Sequence, residues 1–375
     1  MSVGTIIILG VCILFLFVLI SSYYYHLSIR FVSVINKRTK KEYGKKQKIV
    51  FLVLGVILSI CTINFFSVIG VFLLYFLGIS LIMELVNGIA KCVFKKKENK
   101  IWKFLYKSLM LPVLAAAVIM IYGYYNINHI VKTEYTITSD KISKDYDIAL
   151  ITDVHYGTIL NKQELDAVCN RISKENANLV ILGGDIVDES TTKEQMQEVI
   201  SGLAKIKNED GIYYINGNHD RQQYSSAQVY TDEEYRELIE SNQIEFLRDE
   251  WVEINEEFTL IGRKDFSEKN RVSIEELLQN ANKEKFIISA DHQPVEYAEA
   301  SNAGVDLLVS GHTHGGQLFP VGYFIQILKT ADLYYGKTEV GNMKAIVSSG
   351  LCGWGYPVRT QKHCEYVVIH IKSVP

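Results

Sequence analysis

Apolar residues are distributed unevenly along this chain. From Val3 to Ser22 no charged side chain occurs. A helix rises ~1.5 Å per residue and must cover a hydrocarbon core of ~30 Å, so about 20 such residues cross a bilayer. The pattern predicts a span near 3–22. Its start (MSVGT) has no charge and its end runs into Tyr23, Tyr24 and Tyr25, which fits a retained helix better than a cleaved signal. The 42 residues from Ile49 to Ala90 carry Glu84 as their only charge. One helix of that length would be about twice the membrane thickness, so the run must fold back. A turn at Asn64 to Ser67 gives spans near 49–65 and 68–90, and the apolar run from Leu109 to Tyr125 gives a fourth near 109–125.

After Asn126 the period changes. Short apolar runs recur at Asp147 to Thr152, Leu179 to Leu182, Ile212 to Ile215, Phe286 to Ser289 and Val305 to Val309. Their length and β-branched content predict buried strands. Helical patterns lie between the first three, at Lys162 to Glu175 and Lys193 to Ile206. That alternation predicts strand-helix-strand units on a largely parallel sheet. The stretches Ile244 to Gly262 and Lys344 to Ile371 are richer in strand, which predicts a second, mixed sheet. The expected organisation is a transmembrane region over 1–131 and one large domain over 132–375.

Charge sharpens that division. The net charge of −3 averages two unlike pieces: fifteen basic against three acidic residues give +12 over 1–131, and 24 basic against 39 acidic give −15 over 132–375. The basic residues of the first piece crowd into 26–48 and 91–107. Short basic loops stay cytoplasmic, so four spans place both flanking ends outside. The expectation is an integral plasma-membrane protein with an extracytoplasmic second half. Glu84 sits near the cytoplasmic end of its run, where a carboxylate reaches the headgroups. Six cysteines lack paired Cys-x-x-Cys spacing, so neither a zinc ribbon nor a disulfide scaffold is expected, although Cys352 with Cys364 could bridge. With 5 Pro and 25 Gly, the chain is not collagen-like or low in complexity, and no fixed-period repeat occurs.

Chemistry enters at the ends of the strands. Asp153 and His155 follow the first, Asp185 the second, Asn218, His219 and Asp220 the third, Asp291 and His292 the fourth, and His312 and His314 the fifth. Open strand-helix sheets bind ligands beyond their carboxyl edges, so these loops should converge on one rim. An Asp after a strand is ordinarily a turn or helix cap, and an isolated His an ordinary polar loop residue. Five such loops in order, flanked by Gly157, Gly183, Gly184, Gly217, Gly311, Gly315 and Gly316, are different. They assemble four imidazoles, two carboxylates and one amide oxygen, with His219 left over. Imidazole and carboxylate without thiolate suits Mn, Fe, Zn or Ni. Seven ligands are too many for one ion and fit two divalent cations about 3.5–4 Å apart around one shared carboxylate.

These blocks, Asp153-Val-His155, Gly183-Gly184-Asp185, Gly217-Asn218-His219-Asp220, His292 and Gly311-His312-Thr313-His314, resemble the calcineurin-like metallophosphoesterases over about residues 146–316. The resemblance implies an α/β/β/α sandwich of two mixed sheets. It implies that Asp153, His155 and His314 hold one metal, that Asn218, His292 and His312 hold the other, and that Asp185 bridges them, with Mn favoured. It also implies that His219 serves the leaving oxygen with Asp220 orienting it. Asp291 is expected to be structural or to support a ligand, not to be a ligand itself. An anchor before such a domain, with the stretch Gly353 to Arg359, is similar to the membrane-bound bacterial phosphodiesterases of that family. Some of those act on lipid-linked nucleotide-sugar pyrophosphates such as UDP-diacylglucosamine, although four spans exceed the usual single anchor. Arg359 is a candidate phosphate clamp, with a salt bridge as its alternative. The expected substrate is a phosphodiester or pyrophosphate, plausibly lipid-linked or from the cell envelope, and no nucleic-acid partner is expected. The competing readings are a receptor or scaffold that keeps the fold without turnover, and a phosphomonoesterase.

Overall fold

In the computed structural model, residues 3–37, 42–64, 66–93 and 100–374 are described. Parts of both basic loops, 38–41 and 94–99, and Phe65 of the expected turn lie outside them. The chain forms two compact units, Met1–Tyr122 and Gly123–Pro375.

The first unit begins with α1 (Val3–Asn36), α2 (Lys45–Ile63) and α3 (Val68–Val93). The short α4 (Lys100–Ser108) follows, and α5 (Met110–Ile127) runs into the second unit. Four of these helices, α1, α2, α3 and α5, are long and apolar enough to cross a membrane. The first differs from expectation, because it continues to Asn36 instead of ending at Ser22. Tyr24, Leu27 and Ile29 on its extension are buried, so packing carries the helix through the polar residues that follow the apolar run. Glu84 also differs. It accepts hydrogen bonds from Arg30 and Tyr106, with Tyr23 at 3.4 Å, so it forms an ion pair within this unit while its side chain keeps 34% exposure.

In the second unit the strands are β1 (Ile130–Ser139), β2 (Tyr146–Ile151), β3 (Leu179–Leu182), β4 (Ile212–Tyr214), β5 (Glu245–Phe246), β6 (Glu250–Glu253), β7 (Phe258–Gly262), β8 (Phe286–Ala290), β9 (Leu307–Ser310), β10 (Gly336–Val340), β11 (Met343–Val347) and β12 (Cys364–Ser373). The helices are α6 (Lys162–Ser173), α7 (Lys193–Leu203), α8 (Asp232–Ser241), α9 (Ile274–Leu277), α10 (Tyr297–Ala303) and α11 (Val321–Leu328). One sheet has the order β1-β12-β2-β3-β4-β5 and the other β10-β11-β9-β8-β7-β6. Both are mixed. β2, β3 and β4 run parallel while β12 is antiparallel to β2, and β7, β8 and β9 run parallel while β6 and β10 are antiparallel to their neighbours.

Side chains alternate across a strand, which separates the layers. Ile148 and Leu150 enter the core between the sheets with Ile181, Ile288 and Val309. Ala149 and Ile151 face the other way, onto Leu165, Val168, Val199 and Ile200 of α6 and α7. On the far side, Ile287 and Leu308 meet Ile274 and Tyr297. Capping boxes at Asn161/Glu164, Thr192/Gln195 and Thr231/Glu234 start α6, α7 and α8, each supplying partners for orphan N–H groups at a helix start.

The chain's last strand departs from the expected layout. β11 lies in the second sheet, but β12 inserts between β1 and β2 of the first. Val367, Ile369 and Ile371 face the inter-sheet core and Tyr366 and Val368 the helix layer, so both its faces are buried. Such a strand belongs inside a sheet, and the ten-residue parallel ladder with β1 completes its burial. Cys352 and Cys364 are buried free thiols, so the considered bridge does not form.

Candidate metal centre

The carboxyl ends of β2, β3 and β4 in one sheet and of β8 and β9 in the other meet at a single rim. Cross-links show how closely. The Nδ1 of His292, after β8, lies 2.8 Å from the carbonyl of Gly183, after β3. The N–H of His312, after β9, donates to Asp153, after β2, at 3.0 and 3.1 Å. A Cβ on Gly217 would lie 2.2 Å from Asp185 Oδ1, and one on Gly311 2.3 Å from Asp153 Oδ2, so glycine is required at both for the loops to approach. Asp153, His155, Asp185, His312 and His314 all have φ between 42° and 68°. Five left-handed non-glycine residues in one rim mark backbone strain concentrated at a functional site.

Two donor groups result, Asp153 with His155 and His314, and Asp185 with His292 and His312. The ligand atoms of each group converge. His155 Nε2 and His314 Nε2 are 3.3 Å apart, and His314 Nε2 is 3.5 Å from Asp153 Oδ1. Asp185 Oδ2 lies 3.0 Å from His292 Nε2 and 3.8 Å from His155 Nε2, so it stands between the groups. His292 Nε2 and the side-chain oxygen of Asn218 are buried without any hydrogen-bond partner. Buried lone pairs are costly when unpaired, and convergent ones fit a cation.

The other ring nitrogens of two ligands have carbonyl partners. His292 Nδ1 points to the Gly183 carbonyl and His314 Nδ1 to that of Cys352 at 3.3 Å, whereas His155 Nδ1 makes no hydrogen bond and has Asp188 at 3.5 Å. In the first two this leaves Nε2 toward the donor group, the arrangement by which outer partners orient imidazole ligands. Burial pushes His314 down to about 3 and lowers His312, keeping both neutral as ligation requires. Burial also opposes charge on His292, but Asp185 and Asp153 hold its pKa well above the ordinary value, so their joint field favours a positive charge at that point. The residues present therefore fit two divalent cations. Asp153, His155 and His314 would hold one, Asn218, His292 and His312 the other, and Asp185 would reach both.

Two expected roles change. Asp220 is fully buried and accepts from the N–H groups of Asp185, Ile186, Val187 and Gly217 at 2.6 to 3.2 Å. It folds the loops that carry Asp185 and Asn218 instead of orienting His219, and burial beside Asp185 pushes its pKa up to about 6. The orienting carboxylate is Glu189, whose Oε2 lies 2.7 Å from His219 Nδ1. Burial works against the charged imidazole, but the bond to Glu189 and the Asp185 carboxylate raise the pKa of His219 overall. Glu189 shares a loop with Asp185 in the run Gly183 to Glu189, and that shared loop is the only sequence signal for it. The rings of Tyr224 and Trp354 also flank His219, at 5.3 and 5.1 Å between centroids.

Arg359 is not a phosphate clamp. It is completely buried, and its guanidinium donates to the carbonyls of His314, Ser349, Cys352 and His363 at 2.7 to 3.0 Å. It braces the loop after β9, including the backbone of a metal-ligand candidate. Asp291 is buried against Arg271, as its expected structural role requires. His219 and His314 keep side-chain exposures of 13% and 12%, so the rim opens to solvent on their side.

Residues 146–316 match the family described as calcineurin-like phosphoesterase. An "uncharacterized metallophosphoesterase" of Helicobacter pylori is 29% identical over 231 residues, which cover 60% of this chain and 60% of that protein's length. A "transmembrane protein with metallophosphoesterase domain" of Danio rerio is 24% identical over 82% of this chain and 73% of its own length. Among solved structures, a dimetal phosphatase from Danio rerio aligns with 55% of this chain and 87% of its own, at 14% identity and a TM-score of 0.36. The chain carries a calcineurin-like metallophosphoesterase domain and, ahead of it, helices with the length and composition of membrane spans.

Proposed function

We propose that the protein is a membrane-anchored phosphoesterase that hydrolyses a phosphodiester or pyrophosphate bond with two divalent metal ions, Mn by preference. The observation that carries this reading is the position of Asp185 Oδ2, 3.0 Å from His292 Nε2 in one donor group and 3.8 Å from His155 Nε2 in the other. A receptor that kept the fold without turnover would have no use for a complete donor set beside a paired imidazole and carboxylate. Bound divalent ions would offset phosphate charge and bring the pKa of a water toward ~7. The chain's own residues do the rest. Asp153 and Asp185 are held by the N–H groups of His312 and His219, so their oxygens are fixed before any ligand arrives. His219, whose pKa Glu189 raises, would give a proton to the leaving oxygen.

Residues 1–131 serve as the tether and 132–375 as the catalytic domain in this reading. The charge pattern supports an extracytoplasmic domain in the plasma membrane. Thiol labelling from outside should reach a cysteine placed at 140, and protection there would reverse the orientation. The substrate proposed is a lipid-linked or cell-envelope phosphoester, of which UDP-diacylglucosamine-type glycolipids are one kind. The test is hydrolysis of bis-p-nitrophenyl phosphate by the detergent-solubilised full chain with added Mn. Asp185→Asn should lower turnover by several kcal/mol in barrier, about 10³-fold or more. Turnover undiminished in that variant would refute the two-metal reading.

A further inference from the structure

Helix α11 has the wrong surface for a water-exposed helix. Val321, Tyr323, Phe324, Ile327 and Leu328 are between 42% and 72% exposed, and the helix contains no charged residue. Most other helices of this unit present charged side chains outward, as surface helices do. A contiguous exposed apolar patch marks an interaction surface.

The helix's attachments identify what covers it. Phe319 N–H donates to Thr360 Oγ1 at 2.9 Å and Gly322 N–H to Gln361 Oε1 at 3.1 Å, which ties α11 to the segment 358–362. The same segment holds the end of α5. Arg359 N–H donates to the carbonyl of Gly123 at 2.9 Å, and Asn126 Nδ2 donates to the carbonyls of Arg359 and Lys362 at 3.0 and 2.6 Å. A Cβ at Gly123 would lie 2.7 Å from Val358 Cγ1 and 2.8 Å from Thr360 Cγ2, so these side chains pack directly on the helix backbone. α5 is a helix of membrane-spanning length and composition, and its last turn exposes Tyr124 and Tyr125, residues suited to the headgroup level. The apolar helix is therefore tied, through the segment 358–362, to the last turns of a helix of membrane-spanning length.

α11 is also continuous with the metal centre. It starts seven residues after His314, and Gln317 between them bonds back to the His314 carbonyl at 3.0 Å. Gln317 Nε2 further donates to Trp354 O at 3.0 Å, and the Trp354 ring lies against His219.

We propose that α11 lies in the headgroup–acyl boundary of the membrane that holds α5, and that it presents the metal centre to phosphoesters of membrane-resident amphiphiles. The substrate part rests on the phosphoesterase reading above; the embedding of α11 does not. Partial burial of an apolar helix face at the interface is the usual physics of such a contact.

Depth is tested on the full chain in lipid vesicles. Ile327→Cys is labelled with an environment-sensitive fluorophore in a chain whose Cys12, Cys61 and Cys92 are replaced by serine. Lipids brominated near the top of the acyl chain should quench the label strongly and leave one at Glu250→Cys unaffected. A label at 327 that iodide quenches and brominated lipid does not would overturn the proposal. So would one that neither reaches, which would indicate a second copy on the patch.

Substrate presentation is tested with two diesters of one leaving group, hexadecyl and ethyl p-nitrophenyl phosphate. The vesicle-bound chain should prefer the hexadecyl ester by about tenfold or more in kcat/KM. Combining Phe324→Ser, Ile327→Ser and Leu328→Ser should remove that preference while the rate on the ethyl ester stays unchanged. Equal rates on both esters in the parent chain, or a preference that survives the triple variant, would contradict the presentation role. Absence of turnover on either ester, with the label still quenched by lipid, would defeat the phosphoesterase reading and leave the embedding standing.

Discussion

The two units use charged side chains differently. In the first, the carboxylate of Glu84 is enclosed by Arg30, Tyr106 and Tyr23, and the Arg30 guanidinium also lies 4.2 Å over the Tyr106 ring. Both its carboxylate oxygens have protein partners, while the side chain keeps 34% exposure and Nε and Nη2 of Arg30 have none. In the second, Asp153, Asp185, His155 and His292 are almost wholly buried, yet lone pairs on His292 and Asn218 face each other's neighbours without partners. A protein removes such groups or satisfies them unless something else completes them. Charge links helices in the first unit and converges on two candidate cation-binding groups in the second.

Outside the candidate metal ligands, the largest effect should come from His219. His219→Ala is expected to lower phosphodiesterase turnover on the order of 10²-fold with metal content unchanged. Glu189→Gln should cost about tenfold and also move the profile. Glu189 raises the His219 pKa, so losing its charge lowers that pKa, and the alkaline limb of kcat should shift to lower pH. A uniform drop across pH, without displacement of that limb, would show that Glu189 does not act through His219.

Arg359 should reveal the bracing role. Arg359→Met leaves the carbonyls of His314, Ser349, Cys352 and His363 without their donor, and should destabilise the fold by about 2–5 kcal/mol. A thermal melt read beside Michaelis kinetics decides the matter. A raised KM with an unchanged Tm would restore the phosphate clamp.

What the sequence made legible follows from which interactions are local. Membrane-length runs are contiguous, so the count of four apolar helices could be read directly, whereas the extension of α1 to Asn36 depends on packing of Tyr24 and Leu27 that hydropathy does not encode. The motif blocks placed Asp153, His155, Asp185, Asn218, His292, His312 and His314, because each follows a strand end by two to four residues. Sequence neighbourhood misled at Asp220, adjacent to His219 yet bonded to the backbone of another loop. It missed Glu189, which lies 30 positions from His219 and meets it only when the loops after β3 and β4 are brought together. The position of β12 was hidden for the same reason, since its place depends on pairing with β1, more than 200 residues earlier.

The smallest effect belongs to the first unit. Glu84→Gln should lower the thermal stability of the detergent-solubilised chain on the order of 1 kcal/mol, the scale of polar contacts between membrane helices. Turnover of a soluble phosphodiester should not change. A large loss of turnover would link Glu84 to the catalytic unit and end the separation of roles drawn above.

The direct test is a metal titration of the full chain after chelator treatment, with bound Mn measured by elemental analysis and turnover of bis-p-nitrophenyl phosphate followed together. Two Mn per chain should bind, and activity should rise with the second. In Asp185→Asn the second ion and the activity should be lost together. Full turnover with no metal, or with one ion that is indifferent to Asp185, would contradict the account.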